Sequence, residues 1–271
     1  MFRSQHWRAF SGEERQREVS PSSQVPALEP YIAGYASASA AVRAVVPPSV
    51  HAYGDHPDET LDLWVPAGRG PFPLHVFVHG GYWRALSKHD ASFPAPGYLA
   101  AGCAFAALDY SLAPGASLDH IVDQVRRAVR WVGEHAALVG CDPARVTWSG
   151  HSAGAHLVAM ALADAASAPF VAGAVLVSGV YDLVPLLGTT VNDDARLDAE
   201  AAERLSPITH VPRLHAPLVV IHGEADTDHF RRQGLVYAAA WAEAGNHPPV
   251  VQEIAGRNHF DVVFGLPPRW W

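Results

Sequence analysis

The segment 144–163 constrains the fold more than any other part of the chain. Arg145–Ser149 is rich in β-branched and aromatic residues, as strands are, whereas Ala153–Ala163 consists of good helix formers. Gly150-His-Ser-Ala-Gly154 joins the two segments through a sharp Gly-x-Ser-x-Gly turn, whose glycines avoid Cβ collisions with the neighbouring strand or helix. This pattern predicts a backbone-strained, projecting and nucleophilic Ser152. A serine in an ordinary glycine-rich turn is the plainer interpretation.

Composition limits the class of protein and its partners. A length of 271 residues, 49% of them hydrophobic, fits one large α/β domain with a sizeable core. The net charge of −8 and the lack of a basic stripe argue against a nucleic-acid partner. Residues 1–20 lack an apolar signal region, and no apolar run reaches the ~18 residues that span a bilayer. We therefore expect a cytoplasmic enzyme with no membrane partner.

Metal or cofactor chemistry has no sequence signal in this chain. The two cysteines, Cys103 and Cys141, have neither the number nor the spacing of a disulfide framework or a zinc site. The 16 histidines include no His-Glu-x-x-His and no other compact ligand spacing. We expect no metal and no cofactor, which disfavours a metal-dependent hydrolase.

The domain organisation is predicted from the distribution of prolines and apolar segments. Residues 1–48 are interpreted as an N-terminal arm packed on the domain, with a helix over Tyr31–Ala44; a disordered tail is the alternative. Residues 49–271 are interpreted as a single α/β domain. Its irregular segment at about 183–215 is predicted to be a cap-like insertion.

The alternation of apolar strands with helices predicts a mostly parallel, doubly wound sheet with helices on both faces. Val50–Tyr53 and Thr60–Val65 are expected to form a leading antiparallel pair at its edge. The other predicted strands are Pro73–His79, Ala104–Leu108, Ala172–Val177, Leu218–Ile221 and Val250–Ile254, and the other predicted helices are Leu118–Leu138, Ala195–Leu205, Phe230–Ala244 and Asn258–Phe264. Ligands of such sheets bind at the carboxyl ends of the strands, so residues that follow a strand are candidates for the site.

Three such residues have the types and the chain order of a catalytic triad. Ser152 is followed by Asp226 and then by His259, each just after a predicted strand, which is the order in α/β-hydrolases. We predict Ser152 as nucleophile, His259 as general base and then acid, and Asp226 as the carboxylate that orients the histidine. Glu224 and Asp228 are alternatives for the carboxylate.

A tetrahedral intermediate also needs backbone N–H donors for its oxyanion. Ala153 follows the nucleophile and is predicted to supply one of them. The loop that follows the third strand, His79-Gly80-Gly81-Tyr82, resembles the His-Gly-Gly-Gly loop of lipases and esterases. That resemblance implies that the N–H groups of Gly81 and Tyr82 are the other donors, and that the glycines let the backbone approach the substrate.

His79-Gly-Gly-Tyr-Trp83 resembles the His-Gly-Gly-x-Trp signature of the kynurenine formamidase (arylformamidase) branch of the esterase/lipase α/β-hydrolases. Further matching segments extend the resemblance over about residues 19–264. They are Val19-Ser-Pro-Ser-Ser23, Asp109-Tyr-Ser-Leu-Ala-Pro114, Gly150-His-Ser-Ala-Gly-Ala-His-Leu157, Ser178-Gly-Val-Tyr-Asp-Leu183, Ser206-Pro207 and Gly223-Glu-Ala-Asp-Thr-Asp-His-Phe-Arg-Arg-Gln233. The resemblance implies an α/β-hydrolase fold, a Ser-His-Asp triad and hydrolysis of N-formyl-L-kynurenine to L-kynurenine and formate, a step of tryptophan catabolism.

Some motif residues carry separate expectations. His79 is expected to hold the loop by a hydrogen bond, Trp83 to belong to the core, and Tyr82 to belong to either core or pocket. With these, Gly80, Tyr110 and His151 make up the motif residues expected near the substrate. His229 departs from the branch, whose members are expected to carry an acidic residue there; if this position binds the substrate's amino group, amino-acid specificity changes.

The predicted function is a serine hydrolase that cleaves an aryl formamide, N-formyl-L-kynurenine foremost, through an acyl-enzyme. A carboxylesterase acting on small or aryl esters uses the same machinery and is the alternative. A non-catalytic binding protein of the same fold is a third interpretation, although such proteins usually lack a triad member. The expected partner is a small-molecule substrate. The sequence does not decide whether the protein forms a homodimer.

Overall fold

Residues 6–265 are described by a computed structural model, so the outermost residues of the predicted arm (1–5) and of the predicted domain (266–271) lie outside the described part. Within that part the strands are β1 Ser49–Ala52, β2 Thr60–Trp64, β3 Phe72–Val78, β4 Ala104–Leu108, β5 Cys141–His151, β6 Gly173–Val177, β7 Leu218–Gly223 and β8 Val250–Ile254. They form one sheet in the order β1-β2-β4-β3-β5-β6-β7-β8.

The sheet is parallel except at one edge. β1 pairs with β2 and β2 with β4 in antiparallel register, and all pairs from β4 through β3 to β8 are parallel. Strands β3, β4, β6 and β7 are nearly continuous apolar runs because helices cover both faces of a parallel sheet. The predicted α/β fold with an antiparallel leading pair is confirmed.

The helices are α1 Gly12–Glu18, α2 Glu29–Val45, α3 Ala95–Ala100, α4 Leu118–His135, α5 Ala153–Leu162, α6 Val191–Ala195, α7 Ala199–Arg204 and α8 Asp228–Glu243. α5 is buried along its whole length, since it lies under the sheet and packs on α4. Among the helices of residues 6–265, none combines the length and the apolar character needed to cross a membrane.

Two predicted helices are wrong in extent, and α1 and α3 had no predicted counterpart. The helix expected over Asn258–Phe264 is reduced to a 3-10 turn at Val262–Gly265. The Asn258 side chain accepts hydrogen bonds from the N–H groups of Phe260 and Asp261, and this local bonding competes with a helix.

The helix expected over Ala195–Leu205 is shortened to α7, and α6, which precedes it, had no predicted counterpart. Arg196 ends α6 in the left-handed region with φ 51°, which an α-helix cannot continue through. The Asp198 carboxylate then caps the first turn of α7 through the N–H of Ala201.

The N-terminal segment lies against the sheet through α2 and the residues beside it. The Trp64 indole N–H of β2 donates to the carbonyl of Val46 at 2.7 Å. Arg43 of α2 pairs with the fully buried Asp62 of β2, whose carboxylate also lies 3.1 Å from the Lys88 ammonium. These contacts hold the C-terminal part of α2 against β2.

Candidate active site

Ser152 lies at the turn between β5 and α5 with φ 55° and ψ −116°, a strained conformation for a residue with a side chain. The turn is tight on both sides. A Cβ on Gly150 would lie 2.2 Å from the carbonyl of Gly154, and a Cβ on Gly154 would lie 2.1 Å from the carbonyl oxygen of Val78. Both positions therefore require glycine, and the predicted elbow geometry is present.

His259 and Asp226 are joined by a hydrogen bond. His259 Nδ1 donates to Asp226 Oδ1 at 2.7 Å, and both side chains are buried. The other carboxylate oxygen accepts hydrogen bonds from Ser178 Oγ at 2.6 Å and from the Gly223 N–H at 3.0 Å. Burial by itself raises the pKa of Asp226, but the neighbouring His259 and these hydrogen bonds outweigh it and hold the pKa below its ordinary value. Asp226 is thus kept ionised.

The two alternative carboxylates are engaged elsewhere. Asp228 is exposed at the first turn of α8, where it pairs with Arg231 and Arg232. Glu224 is also exposed and accepts a hydrogen bond from the Gly256 N–H at 2.7 Å. The structure therefore places Asp226, and neither alternative, against His259.

Ser152 and His259 open into a common cavity of about 470 Å³. Its wall combines the elbow, the loop after β3, the N-terminal segment and the start of α6. The lining residues are Ser20, Pro21, Ser22, Leu28, Ile32, Tyr35, Gly81, Tyr82, Arg84, Ala85, Leu86, Asp90, His151, Ser152, Thr190, Val191, His259 and Phe260. Such a largely apolar pocket beside a nucleophile and a base suits a small aromatic or acyl substrate.

Two of the three predicted oxyanion donors line this cavity, and the third begins α5 directly after Ser152. Gly81 and Tyr82 line it and have φ of 98° and 49°, and a Cβ on Gly81 would lie 2.2 Å from the carbonyl oxygen of Ala85. Ala153 is the first residue of α5, where a backbone N–H has no partner inside the helix. Across residues 6–265, the turn and loop backbone hydrogen bonds include none donated by the N–H of Gly81, Tyr82 or Ala153.

Four other motif residues do not line the cavity but contact or belong to the loop after β3. They are His79, Gly80, Trp83 and Tyr110. Tyr110 stacks on His79 with 4.3 Å between ring centroids and donates its hydroxyl to the His79 carbonyl at 2.9 Å. His79 Nδ1 donates to the carbonyl of Gly80 at 2.9 Å. Trp83 is fully buried, and its indole N–H donates to His156 Nδ1 at 3.2 Å. Of the motif residues expected near the substrate, His151 and Tyr82 line the cavity.

With this geometry established, comparison with known proteins identifies relatives over nearly the whole chain. The kynurenine formamidase of Salmo salar is 31% identical over 95% of this chain and 92% of its own length. The chain belongs to the kynurenine formamidase branch of the esterase/lipase α/β-hydrolases. Esterase LipQ of Mycobacterium tuberculosis is 30% identical, over 76% of this chain and 55% of that protein. This chain is accordingly a hydrolase of the serine α/β-hydrolase type.

Family models and solved structures also place the chain among the α/β-hydrolases. The prolyl oligopeptidase family matches residues 118–265, and the BD-FAE family matches residues 61–170. A crystal structure from Silicibacter sp. TM1040 superposes with a TM-score of 0.80 at 30% identity and covers 93% of this chain and 94% of its own. An esterase from Pyrobaculum calidifontis shares the fold, with a TM-score of 0.71 at 20% identity over 88% of this chain and 87% of that one.

His151 of this hydrolase lines the cavity beside the histidine of the predicted triad. Its Nε2 bonds the backbone carbonyl of His259 at 2.8 Å, and the ring centroids are 4.9 Å apart. Burial, followed by the proximity of His259, lowers the pKa of His151 to about 3. His151 is therefore a neutral donor that holds the backbone of His259.

The sequence left open whether Tyr82 belongs to the core or to the pocket, and whether His229 contacts the substrate. Tyr82 belongs to both pocket and core, because it lines the cavity while its hydroxyl donates to the carbonyl of Val19. His229 is buried in α8 away from the cavity, and its side chain bonds the Gln233 amide at 2.6 Å. The departure at His229 therefore does not alter the wall around Ser152.

Sequence reasoning missed several residues of the site. Ser178 directly follows β6 and has φ 48°, so the rule on carboxyl ends of strands could have found it. Arg84 and Asp90 belong to none of the matching segments and are identified only by the cavity, whereas Ser20, Pro21 and Ser22 lie in the matching segment of the arm. Among the described residues, no group of three or more His, Cys, Asp or Glu side chains is placed to hold a metal ion.

Proposed function

We propose that this serine hydrolase is a formamidase that converts N-formyl-L-kynurenine to L-kynurenine and formate, using Ser152, His259 and Asp226. One observation carries the proposal. The hydrogen-bonded His259–Asp226 pair and the strained Ser152 face one apolar cavity, in a chain whose relatives along nearly its full length are named kynurenine formamidases.

In the acylation step Ser152 Oγ attacks the formyl carbon while Nε2 of His259 accepts the hydroxyl proton. The resulting oxyanion is bound by the N–H groups of Gly81, Tyr82 and Ala153. The bond from formyl carbon to aryl nitrogen then breaks, and His259 returns the proton to that nitrogen. L-Kynurenine leaves as a neutral aromatic amine, and a formyl ester remains on Ser152.

In the deacylation step water attacks the formyl ester, and His259 again accepts the proton. The second tetrahedral intermediate uses the same oxyanion donors. Its collapse breaks the ester bond, His259 protonates Ser152 Oγ, and formic acid leaves, which ionises to formate and a proton. Asp226 stays ionised throughout, so it keeps Nδ1 of His259 protonated and stabilises the imidazolium of each intermediate.

The test is to incubate the purified protein with N-formyl-L-kynurenine and to follow the absorbance of kynurenine, with Ser152→Ala as the control. We expect kynurenine release that depends on Ser152. Absence of release by a folded protein that still hydrolyses p-nitrophenyl acetate would reject the formamidase and retain the hydrolase.

A carboxylesterase is the second candidate. It is favoured by the esterase relative in Mycobacterium tuberculosis and by the apolar cavity, which would accept the aryl or acyl part of an ester. A ratio of kcat/KM that strongly prefers p-nitrophenyl acetate to N-formyl-L-kynurenine would favour this activity, since both substrates use the same triad and oxyanion donors.

We infer a cytoplasmic location on the basis of cysteine chemistry. Cys103 and Cys141 are buried free thiols, as is usual in reducing compartments. Burial raises the pKa of both thiols to about 11, which keeps them protonated at neutral pH. Fractionation of the native host, with detection of the protein in the soluble or the exported fraction, tests this location.

A further inference from the structure

Two side chains of opposite charge, Arg84 and Asp90, line the cavity that contains Ser152. Among the described lining residues no other Asp, Glu, Lys or Arg occurs. Both belong to the segment 84–90, which directly continues the loop of the predicted oxyanion donors. Arg84 is exposed, with 38% of its side chain accessible, and Asp90 is half-buried, so a charged ligand that enters the cavity can reach both charges.

The two charges are not neutralised by each other. Arg84 Nη1 pairs with Asp194 at 2.5 Å, at the rim formed by α6. A guanidinium has five N–H donors in a planar fork, so this contact leaves capacity for a second carboxylate. Asp90 Oδ2 accepts the N–H and the hydroxyl of Ser87, each at 3.0 Å, and the carboxylate has a second oxygen.

We propose that Arg84 binds the α-carboxylate and Asp90 the α-ammonium group of an amino-acid substrate, which makes both specificity-determining residues. This inference rests on the proposed formamidase and deepens it by explaining how a zwitterion is selected. The formamide lies at Ser152, the aromatic ring packs on the apolar wall that includes Ile32 and Phe260, and the amino-acid group reaches segment 84–90.

Four formamides that differ in the charged groups of the side chain separate the two roles. They are N-formyl-L-kynurenine, N-formylkynuramine (which lacks the carboxylate), 4-(2-formamidophenyl)-4-oxobutanoate (which lacks the ammonium) and 1-(2-formamidophenyl)propan-1-one (which lacks both). The assay measures kcat/KM of the wild type, Arg84→Gln and Asp90→Asn on each compound. Asn at position 90 keeps an oxygen that can accept the Ser87 hydrogen bonds, so the turn is retained.

We expect Arg84→Gln to lower kcat/KM about tenfold for the two substrates with a carboxylate, and to leave the other two unchanged within about twofold. Asp90→Asn should lower kcat/KM about tenfold for the two substrates with an ammonium and spare the rest. A charge-assisted hydrogen bond can produce a loss of this size, and its dependence on the substrate's charge is what a purely structural role lacks.

Matched controls test the structural explanation of an Arg84 effect. Asp194→Asn removes the ion pair at the rim but keeps the guanidinium, so we expect it to retain the preference for carboxylate substrates. Arg204→Gln removes a remote surface pair with Asp119 and should change nothing. Equal losses on all four substrates, or an Asp194→Asn variant that mimics Arg84→Gln, would overturn the proposal.

The wild-type data separate this inference from the proposed function. If all four formamides are cleaved with the same kcat/KM, the formamidase stands and the zwitterion subsite is rejected. If none is cleaved while p-nitrophenyl acetate is hydrolysed, the proposed function is rejected and the subsite with it.

Discussion

At the scale of single residues, the site depends on strain and on hydrogen bonds that converge on charges. Ser152 and Ser178 both have positive φ directly after a strand, and each is held there by a backbone hydrogen bond to the neighbouring strand. Ser152 then faces the cavity, whereas Ser178 donates to Asp226. The same backbone conformation thus directs the Ser152 hydroxyl to the cavity and the Ser178 hydroxyl to a buried carboxylate.

Ser152→Ala tests the nucleophile. We expect kcat to fall by about 10³ or more, because alanine has no hydroxyl that can attack the substrate beside His259. The fold should be unchanged, since alanine fits the same backbone. Kinetics with N-formyl-L-kynurenine or p-nitrophenyl acetate, together with circular dichroism, check both points. Ser37→Ala, on the exposed side of α2, is the matched control and should be fully active. More than a hundredth of wild-type activity in Ser152→Ala would mean that another group is the nucleophile.

Asp226→Asn and Asp228→Asn form a matched pair from one loop. We expect Asp226→Asn to lower kcat by about 10⁴, because an amide no longer holds the required tautomer of His259. Asp228→Asn should be nearly neutral, since that carboxylate is exposed. Steady-state kinetics of both variants decide between them, and a severe effect at Asp228 with a mild one at Asp226 would reverse the assignment.

At the scale of elements, the cavity is enclosed by loops and helices, and His151 at the end of β5 is its one described lining residue that belongs to a strand. α2 supplies apolar side chains to its wall, and the segment before it reaches the start of α6. There Gln16 and Thr190 exchange two hydrogen bonds of 2.8 and 2.9 Å. The N-terminal segment and the segment around α6 thus meet at the wall of the cavity.

Ile32→Ala tests α2 as part of the substrate wall. Loss of this side chain removes apolar contact worth about 1 kcal/mol, so kcat/KM for an aryl formamide should fall about fivefold. The smaller p-nitrophenyl acetate should be less affected. Val45→Ala is the control on the same helix, because Val45 is 81% exposed. An equal loss from Val45→Ala would show that the effect comes from helix stability and not from the cavity.

At the scale of the whole molecule, buried neutral histidines connect the candidate active site to the helices around it. His156 of α5 accepts a hydrogen bond from the Trp83 indole and bonds the carbonyl of Leu205 at 2.8 Å. It therefore ties the loop after β3 to the end of α7. Burial is the main cause that lowers the pKa of His156 to about 4, as it lowers the pKa of His151.

These shifts predict an acid-sensitive fold. Between pH 6.5 and the folded pKa, each histidine binds a proton in the unfolded chain but not in the folded one. Stability is therefore complete above pH 6.5 and decreases as the pH falls below it. For each histidine the free energy of unfolding should be about 2 kcal/mol lower at pH 5 than at pH 8.

Urea denaturation at both pH values measures the difference. His156→Gln, which no longer titrates, should remove the share of one histidine, about 2 kcal/mol, and leave the shares of His151 and of the buried His75, whose pKa is also lowered by burial. A free energy of unfolding that is independent of pH would show that these histidines already bind protons in the folded state.

The sequence by itself determined the alternation of strands and helices, the elbow and the order of Ser152, Asp226 and His259. These features depend on local periodicity, on glycines at a tight turn and on the rule that strand ends meet at one edge, all of which act over a few residues. The leading antiparallel pair followed from the same reasoning.

Only the tertiary structure decided which carboxylate meets His259, that Ser178 supports it, and that Arg84 and Asp90 share a cavity with residues of the arm. It also reduced the expected helix at Asn258–Phe264 to a short turn, because a side chain competed for the backbone. Such outcomes depend on groups far apart in the chain. Their contact follows from packing and from satisfying buried polar groups, and no local pattern encodes it.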